Sequence, residues 1–306
     1  DVHIEGRVYA CNLEKRVTGE NSKAPGTEYI RGNIQVATDE EGLNVVTYYV
    51  TYLTQKTSKG TENASYTTLN NLLNVGKTWS TDGKDAAMKV RIDCSINVND
   101  FISRDGQMVS QQRAEGGFIH LADNLNASVE DRTNFKVDTV ITSVALIEGN
   151  PEIGTKNHAD IKGCTFDFRG ALIPVTFTVE DPNGINYFMG LGASNTNPVF
   201  TKVWGPIVSQ NIVKEVVEQS AFGGDSVTKT TSSRKVWLVT HANPAPYAFP
   251  AEDTLTADEL KAAIAAREVT LAAVKQRNDE RASAANSSFG NVAASAAAPA
   301  TGDFKF

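Results

Sequence analysis

The sequence predicts a mainly β chain, and three observations predict it. Apolar and polar residues alternate with period two over Ile4–Ala10, Glu28–Thr38 and Ala87–Val98, the mark of half-buried strands. Leu43–Thr54 is rich in Val, Thr and Tyr, residues that suit a pleated sheet. Turn chemistry separates these runs at Asp39–Gly42, Asp105-Gly106 and Asp181-Pro182-Asn183-Gly184.

The elements follow in order. In the first strand Ile4, Gly6, Val8 and Ala10 share one face, and Glu5, Arg7 and Tyr9 the other. A polar loop then runs through Gly26. In the second strand Ile30, Gly32, Ile34 and Val36 oppose Tyr29, Arg31, Asn33 and Gln35. The third strand is apolar or aromatic on both faces, with Tyr48 and Tyr52 on one and Tyr49 and Leu53 assigned to the core. Leu69, Leu72 and Leu73, followed by Gly76, predict a short helix with a glycine stop over Ala64–Val75. Met88, Val90, Ile92, Cys94, Ile96 and Val98 form the core face of the next strand.

Three strands, a helix and further strands is the order of an OB-fold, a five-stranded partly open barrel. An SH3-like or other small barrel gives a similar pattern. The sequence therefore predicts an OB-type domain over 1–125. A second small β barrel, OB-like in rhythm, is expected over 137–213, with strands at Val137–Ile147, Ile161–Phe168, Leu172–Glu180, Tyr187–Leu191 and Phe200–Val208. Residues 214–250 read as a connector holding one strand, Lys235–Thr240. Thr256 and Glu259 form a capping box that opens a helix over 255–281. Residues 282–306, rich in Ala, Ser, Asn and Gly, read as a flexible tail.

Composition narrows the function. The 306 residues carry a net charge of −7, which argues against indiscriminate binding to duplex DNA but allows a local basic groove. No apolar run is long enough to span a membrane and no signal peptide is visible, so the expectation is a cytoplasmic protein. Cys11, Cys94 and Cys164 are too scattered for a zinc knuckle or a disulfide framework and read as reduced thiols. Because the chain opens at Asp1 and not at Met, a short N-terminal piece is expected to be missing.

Catalytic motifs are absent. Gly76-Lys77-Thr78 imitates the end of a P-loop, but Asn71 stands where the first glycine belongs and the segment follows a helix. Gly190-Leu191-Gly192 lacks the third glycine of a dinucleotide fingerprint. His3, His120, His158 and His241 stand alone, without zinc-site spacing. The acidic run Asp39-Glu40-Glu41 reads as a solvated turn. The expectation is a non-enzyme with no cofactor and no metal; a site assembled from scattered carboxylates is the enzymatic alternative.

The polar faces of the first-domain strands carry Arg7 and Tyr9, Tyr29 and Arg31, Lys89 and Arg91. On a shared sheet they form one outward surface of rings and cations, which suits single-stranded nucleic acid: bases stack on rings while Arg and Lys follow phosphates. Tyr48, Tyr52, Lys56, Lys59, Lys77 and Trp79 join the candidate set. A generic interaction surface would use the same residue types.

Ile4-Glu5-Gly6-Arg7-Val8, the polar loop, the run Glu28–Asp39 and the strand Leu43–Thr54 together resemble the opening of bacteriophage-type single-stranded DNA-binding proteins. The tail ending Gly302-Asp303-Phe304-Lys305-Phe306 is similar to the partner-docking tails of that class. The resemblance implies OB barrels that coat single-stranded DNA, and a tail whose Asp303, Phe304 and Phe306 recruit replication or recombination proteins. A homo-oligomer is left open as a further partner state, and the compartment is the bacterial host cytoplasm if the chain is phage-encoded. Two departures stand out: Asp303 is the lone acid of the tip, and the helix after Thr256 is outside the family pattern. A structural protein of a phage particle is the alternative that the threonine-rich strands, acidic balance and tail also suit.

Overall fold

The computed structural model describes residues 1–150, 156–218, 222 and 226–290. It is mainly β. Strands β1 (Val2–Val17), β2 (Glu28–Ala37) and β3 (Val45–Thr54) lead into helices α1 (Ala64–Val75) and α2 (Trp79–Asp82), then β4 (Lys89–Ile102) and β5 (Met108–Leu121). β1 pairs with β2 and β2 with β3, all antiparallel; β3 runs parallel to β5 at Tyr48 and Tyr49; β5 pairs with β4, and β4 returns to β1. A ring closed in that order, with a helix between its third and fourth strands, is an OB-type barrel. Its core is the alternating face: Ile4, Val8, Ile30, Ile34, Val90, Ile92 and Ile119 are fully buried, with Leu69 of α1 packed against them.

β1 is longer than its sequence pattern suggests: a bulge at Tyr9 shifts its register, and pairing with β2 continues beyond it to Val17. Period-two reading stops where a bulge breaks the phase. The loop before β2 is accordingly shorter, between Val17 and Glu28.

A second ring repeats the topology. β6 (Thr133–Ile147), β7 (His158–Phe166) and β8 (Leu172–Val179) form a meander, α3 (Pro182–Gly190) follows, and β9 (Val199–Gly205) pairs back onto β6. The fifth strand is the short β12 (His241–Ala242) with the residues before it: β12 pairs with β9, and Leu238 bridges in parallel to Thr178 of β8. Phe135 and Phe177 stack at 5.0 Å inside this ring, and Trp237 meets Phe135 edge-on.

Two expectations are corrected here. Tyr187–Leu191 is not a strand. Asp181 caps α3 by accepting the Gly184 N–H, and Pro182 sits in the first turn; an Asp-Pro pair serves a helix start as well as a turn. Residues 214–250 are more than a connector with one strand. β10 (Ile207–Glu218) and β11 (Ser226–Trp237) form a two-stranded ribbon between the fourth and fifth strands of the second ring, which extends to Ala242.

The rings are joined edge to edge. β1 pairs with β6 at Val2–Ile4. The Asn44 amide donates to the Ile207 carbonyl and accepts the Ser209 N–H, tying the foot of the ribbon to the first ring. The buried Arg132 binds the Thr38 carbonyl and the Glu40 carboxylate. Lys84 and Arg132 hydrogen-bond Glu40 and hold its carboxyl down at about 2, so the acidic turn is a paired one.

Helix α4 (Ala257–Gly290) opens at the expected capping box, Thr256 Oγ1 accepting the Glu259 N–H at 3.2 Å. Arg267 anchors it to Asp100 of β4. The backbone remains helical to Gly290, nine residues into the segment read as tail; alanine is the strongest helix former. Cys94 and Cys164 are buried and Cys11 half-buried, all as free thiols. No helix among the described residues is long and apolar enough to cross a membrane.

Candidate nucleic-acid interface

The expected outward surface is divided in two. Arg7 lies opposite Lys89, whereas Tyr29 and Arg31 lie opposite Arg16 and Glu14, at the far end of β1. Seven to nine residues of extended chain separate these positions, a span of about 23–30 Å. One group holds Arg7, Tyr9, Lys77, Trp79, Lys89 and Arg91; the other holds Tyr29, Arg31, Tyr52, Lys56 and Lys59.

Four members of the first group, Arg91, Lys89, Tyr9 and Trp79, are engaged internally. Arg91 grips Glu5 through two hydrogen bonds of 3.2 Å. Glu5 is only 2% exposed although its position in the alternation is an outer one, and it also accepts the Asn126 N–H at 2.6 Å. Burial pushes the Glu5 carboxyl up, but hydrogen bonds from Arg91, Asn126 and His3 outweigh that and leave it below the usual carboxylate value. Lys89 donates to the Asp123 carbonyl. Trp79 packs against Tyr9 with centroids 6.2 Å apart and has Lys84 over its ring. Gly42 lies under it, so close that a Cβ there would stand 3.2 Å from the indole. Lys77 is exposed beside it, while the Arg7 Nε is buried without a hydrogen-bond partner.

The second group is open. The rings of Tyr29 and Tyr52 lie 4.7 Å apart, tilted by 41°, and Tyr52 is 51% exposed. A shallow groove beside Tyr52 runs along Thr54 and Gln55 to Lys56; Lys59 is exposed in the same loop. Arg31 is exposed and shares Glu14 with Arg16. Tyr66 donates to Glu28, which raises the phenol to about 12 and lowers the carboxyl.

A bulge creates this arrangement. Between Ile30–Leu53 and Gly32–Val50 the register slips, so Thr51 and Tyr52 together face Arg31. An extra residue reverses the inside–outside phase beyond it. Tyr48 is therefore not part of the surface: it is 3% exposed, and its hydroxyl donates to the Gly116 carbonyl inside the wall. Tyr49, assigned to the core from sequence, faces outward, with the Arg113 guanidinium 4.1 Å above its ring. Sequence reading missed Tyr49 and Arg113: Arg113 reaches Tyr49 because β5 runs parallel to β3 at Tyr48 and Tyr49, a pairing that no signal in the sequence announces. Asp303, Phe304 and Phe306 lie outside the described residues.

Among the described residues no group of three His, Cys, Asp or Glu side chains is placed to hold a metal ion.

A family model, YorF, matches residues 1–277. No curated protein matches. Among solved structures, the chain is similar to a deletion mutant of the single-stranded DNA binding protein from Thermus aquaticus, with 12% identity, a TM-score of 0.46, and coverage of 82% of this chain and 96% of that one.

Proposed function

The chain belongs to the YorF family, and from the geometry of its first ring we propose that it is a single-stranded DNA-binding protein. The observation that carries this reading is the open pair of Tyr29 and Tyr52 on the outer β2–β3 face, flanked by Arg31, Lys56 and Lys59. That face of an OB barrel is where oligonucleotides bind. Rings give every base a stacking platform, and the cations follow the backbone without reading sequence. Such contacts suit a protein that coats and protects single strands in replication or recombination, whether encoded by a phage or a cell.

Of the sequence-predicted residues, Tyr29, Arg31, Tyr52, Lys56 and Lys59 are assigned to DNA. Arg91, Lys89 and Trp79 are assigned to the fold, because their partners are internal. Titration with oligo-dT at two salt concentrations, with duplex as competitor, tests the reading.

A structural role in an assembly is the second reading. The β10–β11 ribbon favours it, being paired over its full length as an arm outside the ten-stranded sheet that forms both rings. Regular particles formed by the purified protein without DNA would select it.

A further inference from the structure

A groove of about 420 Å³ lies between the two rings. That is within the roughly 300–1,000 Å³ of small-molecule sites. The first ring contributes Tyr49, Gln112 and Arg113; the second contributes Thr176, and the foot of the ribbon Lys235 and Trp237.

Three features of this groove suit a bound planar, polar group, and one of them, the Gln112 amide, is left unsatisfied within the chain. The Arg113 guanidinium is stacked on Tyr49 and held in plane by the Gln111 Oε1, which accepts from Nε at 3.2 Å and from Nη2 at 2.8 Å. Its outer face and edge are thus pre-set, as a planar group must be to receive another plane. The Gln112 Oε1 accepts the Thr176 N–H at 2.9 Å, which fixes the orientation of the amide. Its Nε2 is then a buried donor with no partner, a costly state that a bound acceptor would relieve. Lys235 is exposed at the rim, where the ribbon leaves the barrel.

We propose that this groove seats one nucleotide of a single strand crossing from the first ring to the second. The base lies against the Arg113–Tyr49 stack, the Gln112 amide donates to a base carbonyl, and Lys235 meets the backbone phosphate. This rests on the single-stranded DNA reading and adds to it a defined pocket and a strand path spanning both rings.

The test uses the full chain and oligo-dT of increasing length, together with a long oligo-dT carrying one 5-iodouracil at successive positions for photocrosslinking. The expected crosslink is to Trp237, or to Tyr49 as separated from Tyr52 by fragment sequencing, from an interior position of the long oligomer. In Arg113→Ala/Lys235→Ala the affinity for the long oligomer falls about tenfold or more, the scale of one lost stacked base, while short oligomers keep their affinity. If circular dichroism shows that the double variant does not fold, Arg113→Lys, which keeps the charge and loses the plane, must abolish most of the gain from length. Crosslinks confined to Tyr29 and Tyr52, with affinity in the folded variants unchanged at every length, overturn the pocket and leave the first-ring reading standing. No binding of the unaltered protein at any length overturns both.

Discussion

Tyr29 and Tyr52 stand on neighbouring strands with ring centroids 4.7 Å apart, and Tyr52 turns about half its surface to solvent. Each ring therefore has an accessible part and a fixed position. Tyr52→Ala is expected to weaken oligo-dT binding by about 1–3 kcal/mol, the loss of one stacking platform, and to leave the melting temperature unchanged within about 2 °C, as for a surface change. Fluorescence titration and a thermal melt of the same sample check both. Unaltered affinity in the folded variant would remove Tyr52 from the interface.

Arg91 behaves differently. Its removal leaves Glu5 buried with only the Asn126 N–H and His3 to compensate it. Arg91→Ala is expected to cost about 1–3 kcal/mol of stability in urea, the penalty of a buried group losing a charged partner, with DNA affinity of the folded fraction retained. A variant as stable as the parent but unable to bind DNA would return Arg91 to the interface.

Gly32 stands beside the β2–β3 bulge and packs its backbone against β1. Its φ is +129°, and a Cβ would stand 2.1 Å from the Asn12 carbonyl oxygen. Gly32→Ala is expected to destabilise the first ring by about 1–3 kcal/mol or more, and to move Tyr52, so that binding is lost beyond what the stability change explains. Chemical denaturation together with titration separates the two effects. A neutral substitution would show that the backbone there relaxes freely.

Acid sensitivity follows from two carboxylates. Hydrogen bonds from Lys84 and Arg132 lower Glu40 to about 2. Burial pushes Asp100 up, but hydrogen bonds from Arg267 and Ser110 bring it below the usual value. A carboxyl depressed in the folded state binds its proton more readily when unfolded, so its stabilisation is present above its ordinary value near 4.5 or 3.8 and is lost as pH falls. For Glu40 the window runs from about 4.5 down to about 2. Its side chain is 42% exposed, so solvent screening holds its share to about 0–1 kcal/mol. Asp100 is 9% exposed and is expected to carry the larger share of the loss. Urea melts between pH 7 and pH 2.5 should show a loss that Asp100→Asn makes pH-independent in part. An identical pH profile in that variant would contradict the assignment.

The first ring was largely legible because its strands have one wet and one dry face. Ile30, Ile34, Val90 and Ile92 fall inside as their alternation requires. Alternation fails at bulges: Tyr48 and Tyr52 share a parity in sequence, yet the slip near Arg31 sends one inward and one outward. It also says nothing of what meets across strands, which is why Glu5, an apparent surface residue, turns out to sequester Arg91. The second ring was half legible. Its fifth strand lies beyond the long β10–β11 ribbon, so sequence order hides a pairing that only the closed ring reveals. Asp181-Pro182 serves a turn and a helix start equally well, and tertiary packing of Phe188 into the core decides for the helix.

The most direct test of the account is a quenching titration of the full chain with labelled oligo-dT at low and high salt, in parallel with Tyr29→Ala/Tyr52→Ala. Binding is expected to weaken with salt at a log–log slope of about −2, the release expected for three phosphates met by Arg31, Lys56 and Lys59. Poor competition by duplex is also expected, with loss of most affinity in the folded double variant. Absence of binding at low salt, or equal binding by the folded variant, would contradict the account.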